Sequence, residues 1–181
     1  MLAKTVFSGF GGQGVLMMGY MLSLSAMNED RYVTYLPAYG AEMRGGTANC
    51  TVVVSSEEIA SPIASSPEYA VIMNYPSMLK YQNSMKKGGV MFLNIDLIEE
   101  RPSRKDIEVV EVPCNTLAHE LGSDRSLNMV MLGALAKKTN IVALETMQAA
   151  VEEILKGKKQ AIIDLNKSAL ARGAQYLVEG K

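Results

Sequence analysis

Two short clusters in this 181-residue chain have residue types and spacing that could hold an anionic ligand. The first is Gly9-Phe10-Gly11-Gly12-Gln13-Gly14, which follows the β-branched and aromatic run Thr5-Val6-Phe7-Ser8 and precedes a long apolar segment from Val15 to Met27. Glycines at a strand-to-helix junction allow positive φ and let a ligand's oxygen atoms approach backbone N–H groups, while the helix N-terminus adds partial positive charge. An anion or phosphate suits such a place. The spacing also meets the dinucleotide fingerprint G-x-G-x-x-G, but that fingerprint needs an acid at the C-terminal end of the second strand to hold a ribose. The strand read over Tyr32 to Leu36 runs into Pro37, and Asp30 lies at its other end. No Gly-Lys-Ser/Thr follows the cluster, so a P-loop is excluded too. A turn that only packs its helix closely on the sheet would need the same glycines, and this cluster alone leaves both readings open.

The second cluster is Tyr39-Gly40-Ala41-Glu42-Met43-Arg44-Gly45-Gly46-Thr47, just beyond that second strand, at the sheet edge where open α/β folds bind ligands. Arg44 can hold a carboxylate or phosphate through two parallel hydrogen bonds, and Gly45 and Gly46 let the backbone approach the bound group. Glu42 could orient Arg44 or accept from a partner. A solvated Glu/Arg loop closed by a Gly-Gly turn has the same composition. His119 is the only histidine, in Leu117-Ala118-His119-Glu120-Leu121, and reads as an ordinary surface or capping residue. Cys50 and Cys114 belong to no CxxC pair, which argues against a disulfide framework, a structural zinc site or an iron–sulfur cluster and for buried free thiols. In Asp124-Arg125-Ser126-Leu127-Asn128, Ser126 or Asn128 reads as the N-cap of the next helix.

The elements that must position these clusters follow from periodicity. Strands are expected at Thr5 to Ser8, Tyr32 to Leu36, about Ala48 to Ser55, Ala70 to Asn74, Val90 to Ile95 and Ile107 to Val112. Helical spacing covers Val15 to Met27 and Ser77 to Lys86, with a short helix around His119. From Asn128 the period stays helical: Met129, Leu132, Leu135 and Ala136 mark one apolar face, then Ala143 to Lys156 ends at Gly157, and a last helix spans Asp164 to Val178. The expected fold is a three-layer α/β/α sandwich around a mainly parallel sheet, Rossmann-like, with a helical C-terminal third and a single domain over residues 1–181.

Composition narrows the partners. Eighteen Lys and Arg against nineteen Asp and Glu give a net charge of -1, so no global field draws in nucleic acid or an anionic membrane. No charge-free apolar run reaches the ~18 residues of a membrane span. The first residues enter a strand without a signal-peptide pattern, so a cytoplasmic location is expected. Thirteen Met with no Trp suits core filling or an adaptable subunit interface, and a homodimer, or a complex with partner subunits, is expected.

Taken together, the two clusters, the Ser61-Pro62-Ile63 stretch and Asn128-Met129-Val130-Met131-Leu132-Gly133-Ala134 resemble the gamma subunit, or fused gamma domain, of the 2-oxoacid:ferredoxin oxidoreductases. The resemblance spans nearly the whole chain. It implies membership in an assembly that decarboxylates pyruvate, 2-oxoglutarate, 2-oxoisovalerate or indolepyruvate on thiamine diphosphate and magnesium. Electrons then pass through iron–sulfur clusters to ferredoxin, and the acyl group goes to coenzyme A. The cofactors would sit on thiamine-binding alpha and beta subunits and a ferredoxin-like delta subunit, leaving this chain inactive alone. Coenzyme A or substrate contact is expected at Gly9, Gly11, Gly12, Gln13, Gly14, Glu42, Arg44, Gly45 and Gly46, with no residue catalytic. A stand-alone nucleotide- or anion-binding regulatory module is the alternative. An independent NAD-dependent dehydrogenase is disfavoured by the missing ribose acid and acid–base set.

Overall fold

The computed structural model describes residues 1–39 and 47–179. In chain order the elements are β1 (Leu2–Phe10), α1 (Val15–Met27), β2 (Tyr32–Tyr39), β3 (Thr47–Ser55), β4 (Tyr69–Ile72), α2 (Tyr75–Tyr81), β5 (Val90–Asn94) and β6 (Glu108–Val112). Then come α3 (Cys114–Glu120), a 3₁₀ turn at Asp124–Ser126, α4 (Leu127–Thr139), α5 (Leu144–Ile154) and α6 (Gln160–Val178).

The strands form one mixed sheet in the order β2-β3-β1-β4-β5-β6. Parallel pairing joins β1 to β4, β4 to β5 and β5 to β6, as expected of strands separated by crossovers. The β2–β3 pair breaks that pattern: β3 returns antiparallel to β2 and inserts between β2 and β1, with Phe10 opposite Thr47 and Tyr39 opposite Ala48. Strand β2 runs past Pro37, which pairs in register with Cys50. Proline is tolerated there because β2 is the edge strand.

Helices cover both faces unequally. Helix α1 and the C-terminal helices share one core with Phe7, Val52, Val54, Val71, Phe92 and Val112. The opposite face, Val6, Ala70, Ile72, Met91 and Leu93, forms a smaller core with Met78 of α2, Met85 and Ile98, flanked by the half-buried Tyr81, Ile95, Ile107 and Val109. Helix α2 starts at Tyr75, ahead of the expected Ser77, because the Asn74 side chain accepts the Ser77 N–H and proline occupies the first turn.

Helix α4 is buried on every side from Asn128 to Ala136, whereas its spacing implied one apolar face. Its contacts with α1, α3, α5, α6 and β5 explain the difference. Its crossing with α6 is unusually close: a Cβ at Gly133 would lie 1.9 Å from the Leu170 carbonyl oxygen, and one at Gly173 1.8 Å from that of Val130. Two glycines facing each other's helix backbone are what let these helices touch. This contact fixes where the first turn of α4 lies.

Candidate functional site

Strand β1 ends at Phe10, and the glycine loop turns directly into α1. Its glycines divide into two kinds. A Cβ at Gly9 would stand 2.5 Å from Gln13 Oε1 and 2.7 Å from Met73 Cβ, so this glycine exists for close packing. Gly14, at φ 71, is the left-handed N-cap of α1, and a Cβ there would meet Asn128 Nδ2 at 2.3 Å. Gly11 and Gly12 differ: no atom lies within 4 Å of a Cβ on either, and Gly12 has φ 97. The loop thus turns its middle outward and its ends inward.

Gln13 holds the loop closed. Its Oε1 accepts from the Phe10 N–H at 2.7 Å, and its Nε2 donates to the Met73 carbonyl at 3.0 Å, joining the end of β1 to the end of β4. Helix α1 leaves β1 on one face and α2 leaves β4 on the other, so the gap between these strands is the switch point where open α/β sheets place ligands. The Gln13 amide bridges that gap from within the chain. Strand β2 ends at Tyr39 and carries no acid along Tyr32–Tyr39, so the ribose partner of a dinucleotide is not present there.

Helix α1 has no side-chain cap and no acid in its first turn. Its leading N–H groups have no intrahelical acceptor and its dipole is unopposed, which favours an anion beside Gly11 and Gly12. Asn128, 114 residues further along the chain than Gly14, comes against this turn. Ser126 is the N-cap position of α4, but its hydroxyl donates to Ser123 Oγ at 3.1 Å. Asn128 Oδ1 instead takes the Met129 N–H at 3.0 Å, within the first turn of α4, and its Nδ2 faces Gly14.

Glu42, Arg44, Gly45 and Gly46 lie outside the described residues. Their flanks do not: Tyr39 closes β2, and Thr47 opens β3 opposite Phe10, at the same sheet edge as the glycine loop. His119 is exposed and its Nδ1 lies 3.0 Å from Asp124 Oδ1. Burial pushes the Cys50 thiol up to about 12 and the Cys114 thiol well above the usual range, so neither is a ready nucleophile.

Sequence reasoning passed over two groups at the same edge. Asn74, at the end of β4, is 2% exposed, and its Nδ2 has no partner among the described residues. Asn94, at the end of β5, accepts from the Cys114 N–H and donates to Asn115 Oδ1 at 2.8 Å. An Asn ahead of a Tyr-Pro helix start signals the first as a cap. Nothing local signals the second.

Residues 4–176 match the family model described as pyruvate ferredoxin/flavodoxin oxidoreductase. The ketoisovalerate oxidoreductase subunit VorA of Methanothermobacter marburgensis is 35% identical over 96% of this chain, and the chain spans 36% of that relative's length. The 2-oxoglutarate synthase subunit KorC of the same organism is 32% identical over 96% of both chains. Among solved structures, the 2-oxoglutarate:ferredoxin oxidoreductase from Magnetococcus marinus, with 2-oxoglutarate, coenzyme A and succinyl-CoA bound, superposes with a TM-score of 0.89 at 21% identity. That alignment covers 99% of this chain and 31% of the other, and at this identity it speaks for the fold.

Proposed function

This chain belongs to the pyruvate ferredoxin/flavodoxin oxidoreductase family, and from that premise we propose that residues 1–181 act as one gamma-type domain of a 2-oxoacid:ferredoxin oxidoreductase. The assembly oxidatively decarboxylates a 2-oxoacid to an acyl-CoA. Thiamine diphosphate, magnesium and the iron–sulfur clusters sit on thiamine-binding alpha and beta subunits and a ferredoxin-like delta subunit. This chain is the non-redox member, works in the cytoplasm and presents its loops to coenzyme A or substrate. The carrying observation is the match over residues 4–176 together with the end-to-end correspondence to KorC, 96% of each chain.

The side chains available suit that division of labour. No group of three or more His, Cys, Asp or Glu among the described residues is arranged to hold a metal ion, and both thiols are buried and hard to ionise. Those described residues do not fit an iron–sulfur cluster. They do fit an anionic group: Gly11 and Gly12 face outward, and α1 begins uncapped behind them. Arg44 supplies a bidentate contact for a coenzyme A phosphate or substrate carboxylate from the neighbouring segment. The match to KorC over 96% of each chain leaves the stand-alone nucleotide-binding alternative without support. Among the described residues no helix is long and apolar enough to cross a membrane.

Reconstitution tests the proposal. The purified chain alone should reduce no dye with any 2-oxoacid, and co-expression with thiamine-binding and ferredoxin-like subunits should yield a complex that does so in the presence of coenzyme A. Turnover by the isolated polypeptide, or failure to co-purify with such subunits, would sink it.

A further inference from the structure

Beside the glycine loop, a second feature points to a ligand of its own. A cavity of about 140 Å³ opens between α1, α4, α5 and α6, walled by Met17, Met21, Met129 and Leu155 among other apolar side chains, with Arg125, Asn128 and Asn166 contributing its polar groups. Arg125 and Asn128 are three residues apart on the continuous 3₁₀ turn and α4, so they share one face.

Asn128 is 7% exposed, its Oδ1 is engaged by the Met129 N–H, and its Nδ2, which has no hydrogen-bond partner among the described residues, belongs to the cavity lining. That donor stands against Gly14, the uncapped start of α1. An unengaged amide N–H in the wall of a largely apolar cavity is free to donate to a ligand that enters it. Arg125 is exposed and pairs with no carboxylate among the described residues; the neighbouring Asp124 carboxylate lies 3.0 Å from His119 Nδ1 instead. Helix α1 has no acid in its first turn, so its positive end carries no carboxylate of its own; the Asp124 carboxylate, in the turn leading into α4, lies against His119.

We propose that Asn128 Nδ2, Arg125 and the first turn of α1 bind the carboxylate of a small aliphatic acid whose short tail fills the adjoining cavity. A cavity of this size accommodates a group as large as a benzene ring, enough for a branched tail of three to four carbons. The inference deepens the proposed reading of the glycine loop as an anion site by naming the ligand class. It concerns binding to this chain alone and is read without turnover, so its failure leaves the subunit assignment intact, and a failed reconstitution leaves the binding result intact.

The test is a titration of the ¹⁵N-labelled full chain with 3-methylbutanoate, acetate and inorganic phosphate, following the amides of Gly12, Gly14, Val15, Asn128 and Met129. Saturable shifts are expected with 3-methylbutanoate at roughly tenfold to hundredfold lower concentration than with acetate, because the extra carbons enter the cavity. Phosphate, with no tail, should bind no better than acetate. Arg125→Gln should weaken 3-methylbutanoate roughly tenfold or more. Asn128→Asp should do so at least as strongly, since it keeps the acceptor for Met129 and turns the facing donor into a repelling oxygen. Arg125 lies on the surface, so its variant stays informative if Asn128→Asp fails to fold. Equal affinity for acetate and 3-methylbutanoate would overturn the cavity's part in the proposal. Absence of saturable shifts, or an Arg125→Gln chain that binds as tightly as the parent, would overturn the site.

Discussion

Replacing Gly173 by alanine tests whether the α4–α6 crossing is as close as it stands. The added Cβ would lie 1.8 Å from the Val130 carbonyl oxygen, a backbone atom that no rotamer change can move. Ordinary contact is ~1.5 Å further out, so the helices must separate or tilt by about that much. Overpacking of this kind costs typically ~1–3 kcal/mol and sometimes more. Alanine in a helix interior recovers about 1 kcal/mol of propensity relative to glycine. Because the clash is with backbone, the cost lies at the upper end of that range, and the net expectation is a loss of about 2 kcal/mol, or roughly 4–8 °C in Tm for a chain of this size. Gly133→Ala should behave alike, its Cβ meeting the Leu170 carbonyl oxygen at 1.9 Å. The double variant should lose less than the sum, because one separation of the helices relieves both clashes. Urea unfolding of the four proteins measures all of this. A Gly173→Ala chain more stable than the parent by about the propensity gain would refute the crossing. The same displacement should move Asn128 away from Gly14, so amide shifts at Gly12 and Gly14 should change in Gly173→Ala but not in a surface control such as Ser168→Ala.

Three further outcomes follow from the same structure. Gln13→Leu should lose both bonds that join β1 to β4, cost about 1–3 kcal/mol, and strip the Phe10 amide of its hydrogen-exchange protection; unchanged protection would remove Gln13 as the clasp. Burial raises the Cys50 thiol from the usual 9.0 to about 12, so its contribution to stability is present below pH 9 and is lost as pH rises from there towards 12. Unfolding free energy should fall by up to ~1.4 kcal/mol per pH unit for each such thiol above that point, and Cys50→Ala should flatten the fall, with Cys114 and Tyr176, raised in the same direction, supplying the remainder. In the assembled enzyme, Arg44→Ala should raise KM for coenzyme A or the 2-oxoacid roughly tenfold to hundredfold, with Arg44→Lys recovering part; unchanged KM values in a complex of full subunit content would return that segment to a structural role.

If Gly11 and Gly12 hold an anion as proposed, one short motif serves two purposes. Gly9, Gln13 and Gly14 are occupied with the chain's own atoms, and that occupation aims Gly11 and Gly12 outward on a rigid turn. Rigid placement of backbone donors is what an anion site needs, since little ordering cost remains at the moment of binding.

The sequence by itself determined the order and kind of most elements, because strand and helix periods are local: the apolar runs at Ala70 and Val90, the helix after Gly14 and the three C-terminal helices are all legible from spacing. It also located the glycine loop at a strand-to-helix junction, since glycine spacing and the change of period sit side by side in the chain. Boundaries shifted where a local partner was not visible, as at α2, which Asn74 starts early, and α6, which begins at Gln160 instead of Asp164. Only the tertiary structure decided that β3 lies antiparallel between β2 and β1, that Gly9 is shaped by Gln13 and Met73, and that Gly133 and Gly173 bring α4 against α6. It alone set Asn128 against Gly14, across 114 residues of chain. The reason is physical: period and propensity act over a few residues, whereas these contacts depend on how whole elements pack, and a glycine needed for space looks in sequence the same as a glycine needed for its φ.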